Sequence, residues 1–459
     1  MGSSRRTIRS WSPSMSTTAI FRTLTFLCAV APFCLRAQSV AGGTGTAALL
    51  RSPLGQSPRA PNVLFLGMAT SVSYDTNVAN TQNNLPNSQY TLYPQFGLSI
   101  SRPRWTSLVT YMPGVSYSSA SIPSYNAVSQ MFGAAFQYRA TKRLTFSLLN
   151  GFLSSSNPFD SLRATSVLPQ FGVLHTPTAV AWDYLPKTNE QAALDATYSL
   201  SARTKIQVGG AYNYISYQDS SESNLPGNAL RQSNSGQFTF GLFRTSGAHY
   251  SSGVQYTGQQ LDAGKGEVRT SAQSIAYQLQ YSPRPSFELT AIIGPQHVDT
   301  TYKLRSASDA ITNVLNEHGT GWSWMGGGTL SWTGRRSGLS ASLIRQLSTG
   351  NQYQGAVRQT LANVQVQQQL TKQTTLNSFV GYNINEAPFS VGSPTRLSNN
   401  YLSAGTGVSR KFGNKWTMSV TYWYLRQDKS VASDPKFYSG DHSRVAFSLS
   451  YLIAKPIRR

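Results

Sequence analysis

From Leu64 to Tyr451 the chain alternates apolar residues with small or polar ones at period two, and this property restricts its fold more than any other. In an extended strand successive side chains point to opposite faces, so the alternation marks strands with one apolar and one polar face. In the first stretch Leu64, Leu66, Met68, Val72 and Tyr74 fall on one side, and Gly67, Ala69, Ser71 and Ser73 on the other. Ala192, Leu194, Ala196, Tyr198 and Leu200 repeat the pattern. So do Trp416, Met418, Val420, Tyr422 and Tyr424, and finally Val445, Phe447, Leu449 and Tyr451. No stretch of comparable length carries a helical period.

The connections alternate in length. Short turns fall at Pro103, Thr141-Lys142, Arg203-Thr204, Ser246-Gly247, Pro283-Arg284-Pro285, Gly334-Arg335-Arg336, Thr371-Lys372 and Gly413-Asn414. Between them lie polar loops at 75–88, 118–128, 154–189, 218–231, 261–267, 298–320, 348–355, 387–398 and 428–440. Eight turns and nine loops join about 18 strands (range 16–18) of about 11 to 14 residues each, lengths suited to a tilted crossing of hydrocarbon. A soluble sandwich has no reason to alternate its loop lengths. A propeller would repeat a recognisable motif every 40 to 50 residues or so, and the hairpins share none. Closing the sheet pairs every backbone group, which lipid cannot do. The expected fold is therefore all-β, a transmembrane antiparallel up-and-down β-barrel over residues 63–453.

Composition agrees. Only 12% of residues are charged, and the polar fraction is made of Ser, Thr, Gln, Asn and Gly, with 24 Tyr. Disordered chains lack such aromatics. The formal net charge of +22 raises nucleic-acid binding, but the cations are spaced singly and form neither a run nor a basic helix, so no nucleic-acid partner is expected. Residues 1–37 read as a cleaved signal peptide: Arg22 precedes a short apolar run from Leu24 to Leu35, and Ala37 offers a cleavage point before Gln38. Translation from Met1 and from Met15 are both compatible with it. Both cysteines, Cys28 and Cys34, lie in this leader, so the mature chain is expected to have no disulfide and no thiolate site. Residues 38–62 read as a flexible periplasmic segment, and 454–459 as a short basic tail.

Tyr74, Tyr90, Trp105, Tyr117, Tyr217, Tyr281, Trp322, Trp332, Tyr401, Trp416 and Tyr451 stand near strand ends, where aromatic girdles meet the membrane interface. Three features depart from the plain pattern. Pro94 and Pro113 each delete a ladder donor inside a strand and are expected to mark bulges or strand ends. Gly326-Gly327-Gly328 reads as a bend or close approach. Lys142, Arg143, Arg203, Lys205, Arg335 and Arg336 crowd the short turns on the expected periplasmic side.

The stretch Ser71-Val72-Ser73-Tyr74-Asp75-Thr76-Asn77-Val78 resembles the opening of the type 2 group of β-barrel porins. The architectural resemblance covers residues 63 to 453 and implies an outer-membrane location and a diffusion pore. It carries over no catalytic residue. Such barrels end on an aromatic residue, whereas here Tyr451 is followed by Leu452 through Arg459.

No nucleophile elbow, phosphate loop or acidic calcium loop is present, and His175, His249, His297, His318 and His442 are scattered without ligand spacing. They read as ordinary loop or rim residues, so no catalytic residue, cofactor or metal is expected. By alternation the candidate pore-lining residues are Arg139, Asp195, Gln237, Glu288, Gln365, Gln367, Asn377, Asn383 and Arg444. Neutral amides dominate this set, and amide walls bind polar solutes without strong charge selection. The longest loop holds Phe159, Phe171, Trp182 and Tyr184 and is expected to fold inward as a constriction or to pack over the rim. The expected function is a porin-like channel for passive diffusion of small polar or anionic solutes. The alternatives are a structural or secretion-accessory barrel linked to surface polysaccharide, and, third, a barrel enzyme acting on lipid or peptide. Expected partners are outer-membrane lipid and lipopolysaccharide, the outer-membrane assembly machinery and small polar solutes.

Overall fold

The computed structural model describes residues 62–76, 86–119, 127–155, 187–217, 232–263, 268–305, 314–349, 356–386, 398–429 and 440–457. Among them eighteen strands follow one another: β1 Val63–Asp75, β2 Asn87–Ser101, β3 Trp105–Ser118, β4 Ala127–Arg139, β5 Leu144–Ser155 and β6 Lys187–Ser199. Then come β7 Thr204–Tyr217, β8 Ser233–Thr245, β9 Tyr250–Ala263, β10 Val268–Arg284, β11 Phe287–Arg305 and β12 Val314–Thr333. The circuit ends with β13 Ser337–Thr349, β14 Ala356–Gln369, β15 Thr374–Glu386, β16 Ser398–Phe412, β17 Trp416–Lys429 and β18 Gly440–Pro456. Each strand pairs antiparallel with its sequence neighbours, and β1 pairs with β18 from Val63↔Pro456 to Asp75↔Arg444, which closes the barrel. β18 thus takes in Ala454, Lys455 and Pro456, three residues that the sequence reading assigns to a tail.

The two faces separate as the alternation requires. Every one of the eighteen strands places at least one large exposed apolar side chain on the outer face, among them Leu66, Phe96, Leu148, Phe238, Ile293, Val366 and Phe447. A belt of this extent is the surface a barrel presents to hydrocarbon, since soluble monomers rarely expose apolar patches beyond a few hundred Å². The inner face carries Ser71, Thr91, Ser116, Ser129, Thr257 and Ser409, all buried. Outward aromatics gather near both rims. At the short-turn rim Trp416 meets Tyr451 with centroids 4.7 Å apart, and Tyr250 meets Tyr281 at 5.1 Å. At the other rim Tyr74, Tyr90, Tyr117 and Trp322 stand exposed. Tyr401 is a correction: it lies on the inner face of β16, buried, and belongs to no girdle. The side chain of Tyr217 lies outside the described residues.

The eight short turns fall where the sequence places them, and three use one chemistry. Thr141, Ser201 and Thr371 each accept two backbone N–H bonds on the hydroxyl oxygen, from the residues two and three positions ahead, at 3.0 to 3.2 Å. These local bonds satisfy turn donors that no ladder reaches. Strand lengths exceed the expectation slightly in β2 and β16, with 15 residues each, and in β18, with 17, and most along β10, β11 and β12, with 17, 19 and 20. Much of the expected 298–320 loop is strand, because β11 and β12 keep pairing up to Arg305↔Val314.

Pro94 and Pro113 mark neither bulges nor strand ends. They fall on one rung between β2 and β3, where pairing lapses between Leu92↔Val115 and Phe96↔Tyr111 and resumes in the same register. Placing both missing donors on one rung confines the loss to a single site. Gly114 beside it leaves room for the Tyr93 ring, which a Cβ would meet at 2.3 Å.

Gly413 adopts φ +62° in the β16–β17 turn, whereas Gly236 has an extended backbone and open space around its Cβ position on the outer face. Gly413→Val is expected to lower the unfolding free energy by about 1–2 kcal/mol. Gly236→Val is expected to change it by less than about 0.5 kcal/mol. Urea unfolding in lipid vesicles measures both, and equal effects would contradict the turn geometry.

Candidate functional site

The inner face is the place where a barrel can act on a solute. All nine residues named from the alternation lie at inward positions of their strands, but they occupy different levels. Arg139 and Glu288 stand exposed at the short-turn mouth, where Gln280 donates to Glu288 at 2.8 Å. Gln365, Gln367 and Asn377 lie half-buried on adjacent strands, with Gln367 opposite Asn377. Asp195 and Gln237 face the lumen from β6 and β8. Gly209 lies opposite Asp195, and its missing Cβ leaves room for the carboxylate, which a Cβ would meet at 2.2 Å. Asn383 and Arg444 sit toward the long-loop end, both buried. Phe159, Phe171, Trp182 and Tyr184 lie outside the described residues.

A narrowing is built from strand ends. β12 pairs with β13 only from Gly326↔Arg345 to Thr333↔Gly338, while β11 accompanies β12 over its full length. Above that point β13 and β14 turn into the lumen and approach β8, β9 and β10. Gln259 Nε2 donates to the Leu347 carbonyl at 3.4 Å, across a sequence separation of 88. Leu347 packs against Leu261, Ala272 and Val298, each 3% exposed or less. The triple glycine marks the parting: a Cβ on Gly326 would meet the Ile292 carbonyl at 2.7 Å, and one on Gly327 the Leu343 carbonyl at 2.4 Å. The sequence carried a signal for this contact. β10 to β12 are apolar on both faces, as in Ile275-Ala276, Ile292-Ile293 and Trp324-Met325, which a watery lumen does not need. At the parting, Arg345 lies 4.8 Å over the Trp324 ring, donates to Thr360 Oγ1 at 3.2 Å and approaches Glu386 at 3.7 Å.

Two polar clusters line the wall near the long-loop end. In the first, Arg444 donates to Ser73 Oγ at 2.7 Å and to Gln89 Oε1 at 3.1 Å, with the Trp423 ring 5.9 Å away. His442 Nδ1 lies 3.6 Å from Asp75 Oδ1, and both residues are buried. His442 is therefore no ordinary loop residue. Its inward position follows from the parity of β18, whose outward residues are Val445 and Phe447. In the second, Asn383 and Asn385 both donate to the Tyr401 hydroxyl, at 2.6 and 3.1 Å. Of the other histidines, His249 meets the Ser282 carbonyl at 2.9 Å by a short turn, and His297 and His318 lie on the outer face of β11 and β12. There His297 contacts Thr320 at 3.0 Å and His318 contacts Asp299 at 2.7 Å. His175 lies outside the described residues.

Charge is distributed unevenly between the two ends. Each of the eight short turns carries a Lys or Arg within two residues of it, and within that distance Glu288 is the single acid. At the other end both signs meet, as in Arg269–Asp262 at 3.2 Å and Arg426–Asp441 at 4.0 Å.

No family model matches the sequence, and no curated protein matches it. Among solved structures the fold is similar to the outer membrane protein OpdK from Pseudomonas aeruginosa, at 10% identity over 85% of this chain and 99% of that one, with a TM-score of 0.40. It is similar to OpdO of the same organism, at 11% identity over 86% and 97%, TM-score 0.41. The siderophore receptor PiuA from Acinetobacter baumannii gives 11% identity over 83% and 69%, TM-score 0.41.

The contact across the lumen makes a direct prediction. In a background with Cys28 and Cys34 changed to Ser, a thiol at Val298→Cys should stay unlabelled by a water-soluble maleimide, because Val298 is 1% exposed. Adding Leu347→Asp forces an unpaired charge against that patch and should release the strand ends, so labelling becomes rapid. Rapid labelling without Leu347→Asp would refute the packing.

Proposed function

We propose that this chain is an outer-membrane channel for passive diffusion of small polar solutes, with anions favoured at its short-turn, periplasmic mouth. The observation that carries the reading is the sorting of the two faces: an apolar belt on every strand outside, and inside a wall where hydroxyls and amides stand among small apolar clusters. Water and polar solutes wet such an inner wall, and hydrocarbon wets the outer one. The anion preference is supported by the cations at every short turn, since a mouth lined by one sign of charge raises the local concentration of the opposite ion.

A structural or secretion-accessory barrel is the second reading. It is favoured by the dry contact between Leu347 and β9–β11, which narrows the long-loop end.

Reconstitution in planar bilayers separates the two. The channel reading predicts ohmic conductance and a reversal potential on the anion side in a KCl gradient. It further predicts that Arg335→Glu with Arg336→Glu moves that potential toward cations. Absence of conductance at every voltage would reject the channel and favour the accessory barrel.

A further inference from the structure

Near the long-loop end the register of β13 to β16 brings four amides and a phenol onto one patch of the inner wall. Gln346 stands opposite Gln359, Gln359 opposite Asn385, and Asn383 opposite Tyr401. Burial is nearly complete: Gln359 and Asn385 are 1% exposed, Asn383 4%, Tyr401 7% and Gln346 8%. The two asparagines give their Nδ2 groups to the same Tyr401 hydroxyl. Asn383 Oδ1, Asn385 Oδ1 and both amide atoms of Gln359 then have no hydrogen-bond partner.

Buried polar atoms are nearly always satisfied, and each one left without a partner costs about 1–3 kcal/mol. Four such atoms on two adjacent strands therefore point to a group that completes them. What they offer defines it: three carbonyl acceptors and one N–H donor, beside an aromatic ring. A hydroxyl both donates and accepts, so neighbouring hydroxyls on one molecule match this set. None of the five side chains is charged, which disfavours an ionic ligand. A hard cation would want carboxylates among its oxygens.

We infer that Gln359, Asn383, Asn385 and Tyr401 form a binding site for a neutral polyhydroxylated solute, a sugar or sugar alcohol. The site lies on the inner wall where β13 and β14 turn inward, so the solute enters as those strand ends move. Its route to the site rests on the channel reading; its recognition does not.

The test uses the full-length barrel in detergent micelles, titrated with maltose and mannitol by isothermal calorimetry, alongside bilayer conductance of the same protein. Saturable binding of either probe is expected. Gln359→Leu with Asn385→Leu should weaken it by about tenfold or more, the loss of one or two neutral hydrogen bonds. Because the change removes unsatisfied buried atoms, the double variant should resist urea at least as well as the parent, so weaker binding would not reflect unfolding. No saturable heat with either probe overturns the site, as does binding that the double variant leaves unchanged. A more urea-resistant variant of a parent that binds neither probe assigns the amides to packing alone, which also overturns it. Conductance without sugar binding rejects the site and keeps the channel, whereas sugar binding without conductance does the reverse.

Discussion

The pairing of β1 with β18 is the constraint on which the rest of the structure depends. A sheet in hydrocarbon tolerates no open edge, because each unpaired backbone group there costs several kcal/mol. Closure from Val63↔Pro456 to Asp75↔Arg444 removes that edge and brings both ends of the strand circuit to the same rim. The even strand number, the alternation of short turns with long connections and the single outward apolar face all follow from it. The seam ends in polar contacts as well as ladder bonds, with Arg444 reaching Ser73 and Gln89 across the junction.

The wall departs from a simple cylinder between β12 and β13. Their pairing stops at Gly326↔Arg345, and the ends of β13 and β14 lie inside the circuit against β9 to β11. The inner wall there holds Leu261, Ala272, Ile292 and Val298, so burying Leu347 among them recovers apolar surface that water would otherwise wet. The interior thus holds a dry contact on the β9–β13 side and smaller apolar clusters on β3 to β7, where Met131 meets Leu153 and Ala135 meets Leu149 and Ala193, with hydroxyls and amides on the wall around them. Any solute that passes does so along the polar part.

Much of this was legible in the residues. Leu64, Leu66 and Met68 against Ser71 and Ser73 told which face is which, because a strand has one period and a buried sheet one register. The turns were legible because Thr141, Gly247 and Gly413 carry turn chemistry of their own. The inward parity of Gln365, Asn377 and Arg444 followed from the same count. Three things were not. β11 and β12 keep pairing to Arg305↔Val314, and a polar stretch between two strands reads as loop when ladder bonds alone extend it. The inward turn of β13 depends on contact with β9, 88 residues away in sequence; the two-faced apolar runs of β10 to β12 mark a dry wall but do not name β13 as its partner. Tyr401 read as a girdle residue because composition places aromatics at rims, and only its parity within β16 turns it toward Asn383 and Asn385.

Closure is tested most directly by hydrogen–deuterium exchange of the protein in lipid bilayers, read at the amides of β1 and β18. A closed barrel predicts that residues 66–73 and 447–453 exchange as slowly as the middle of β3 or β7, which have neighbours on both sides. Exchange at β1 and β18 that is faster by orders of magnitude, with β3 and β7 still protected, would mean an open sheet and would contradict the account.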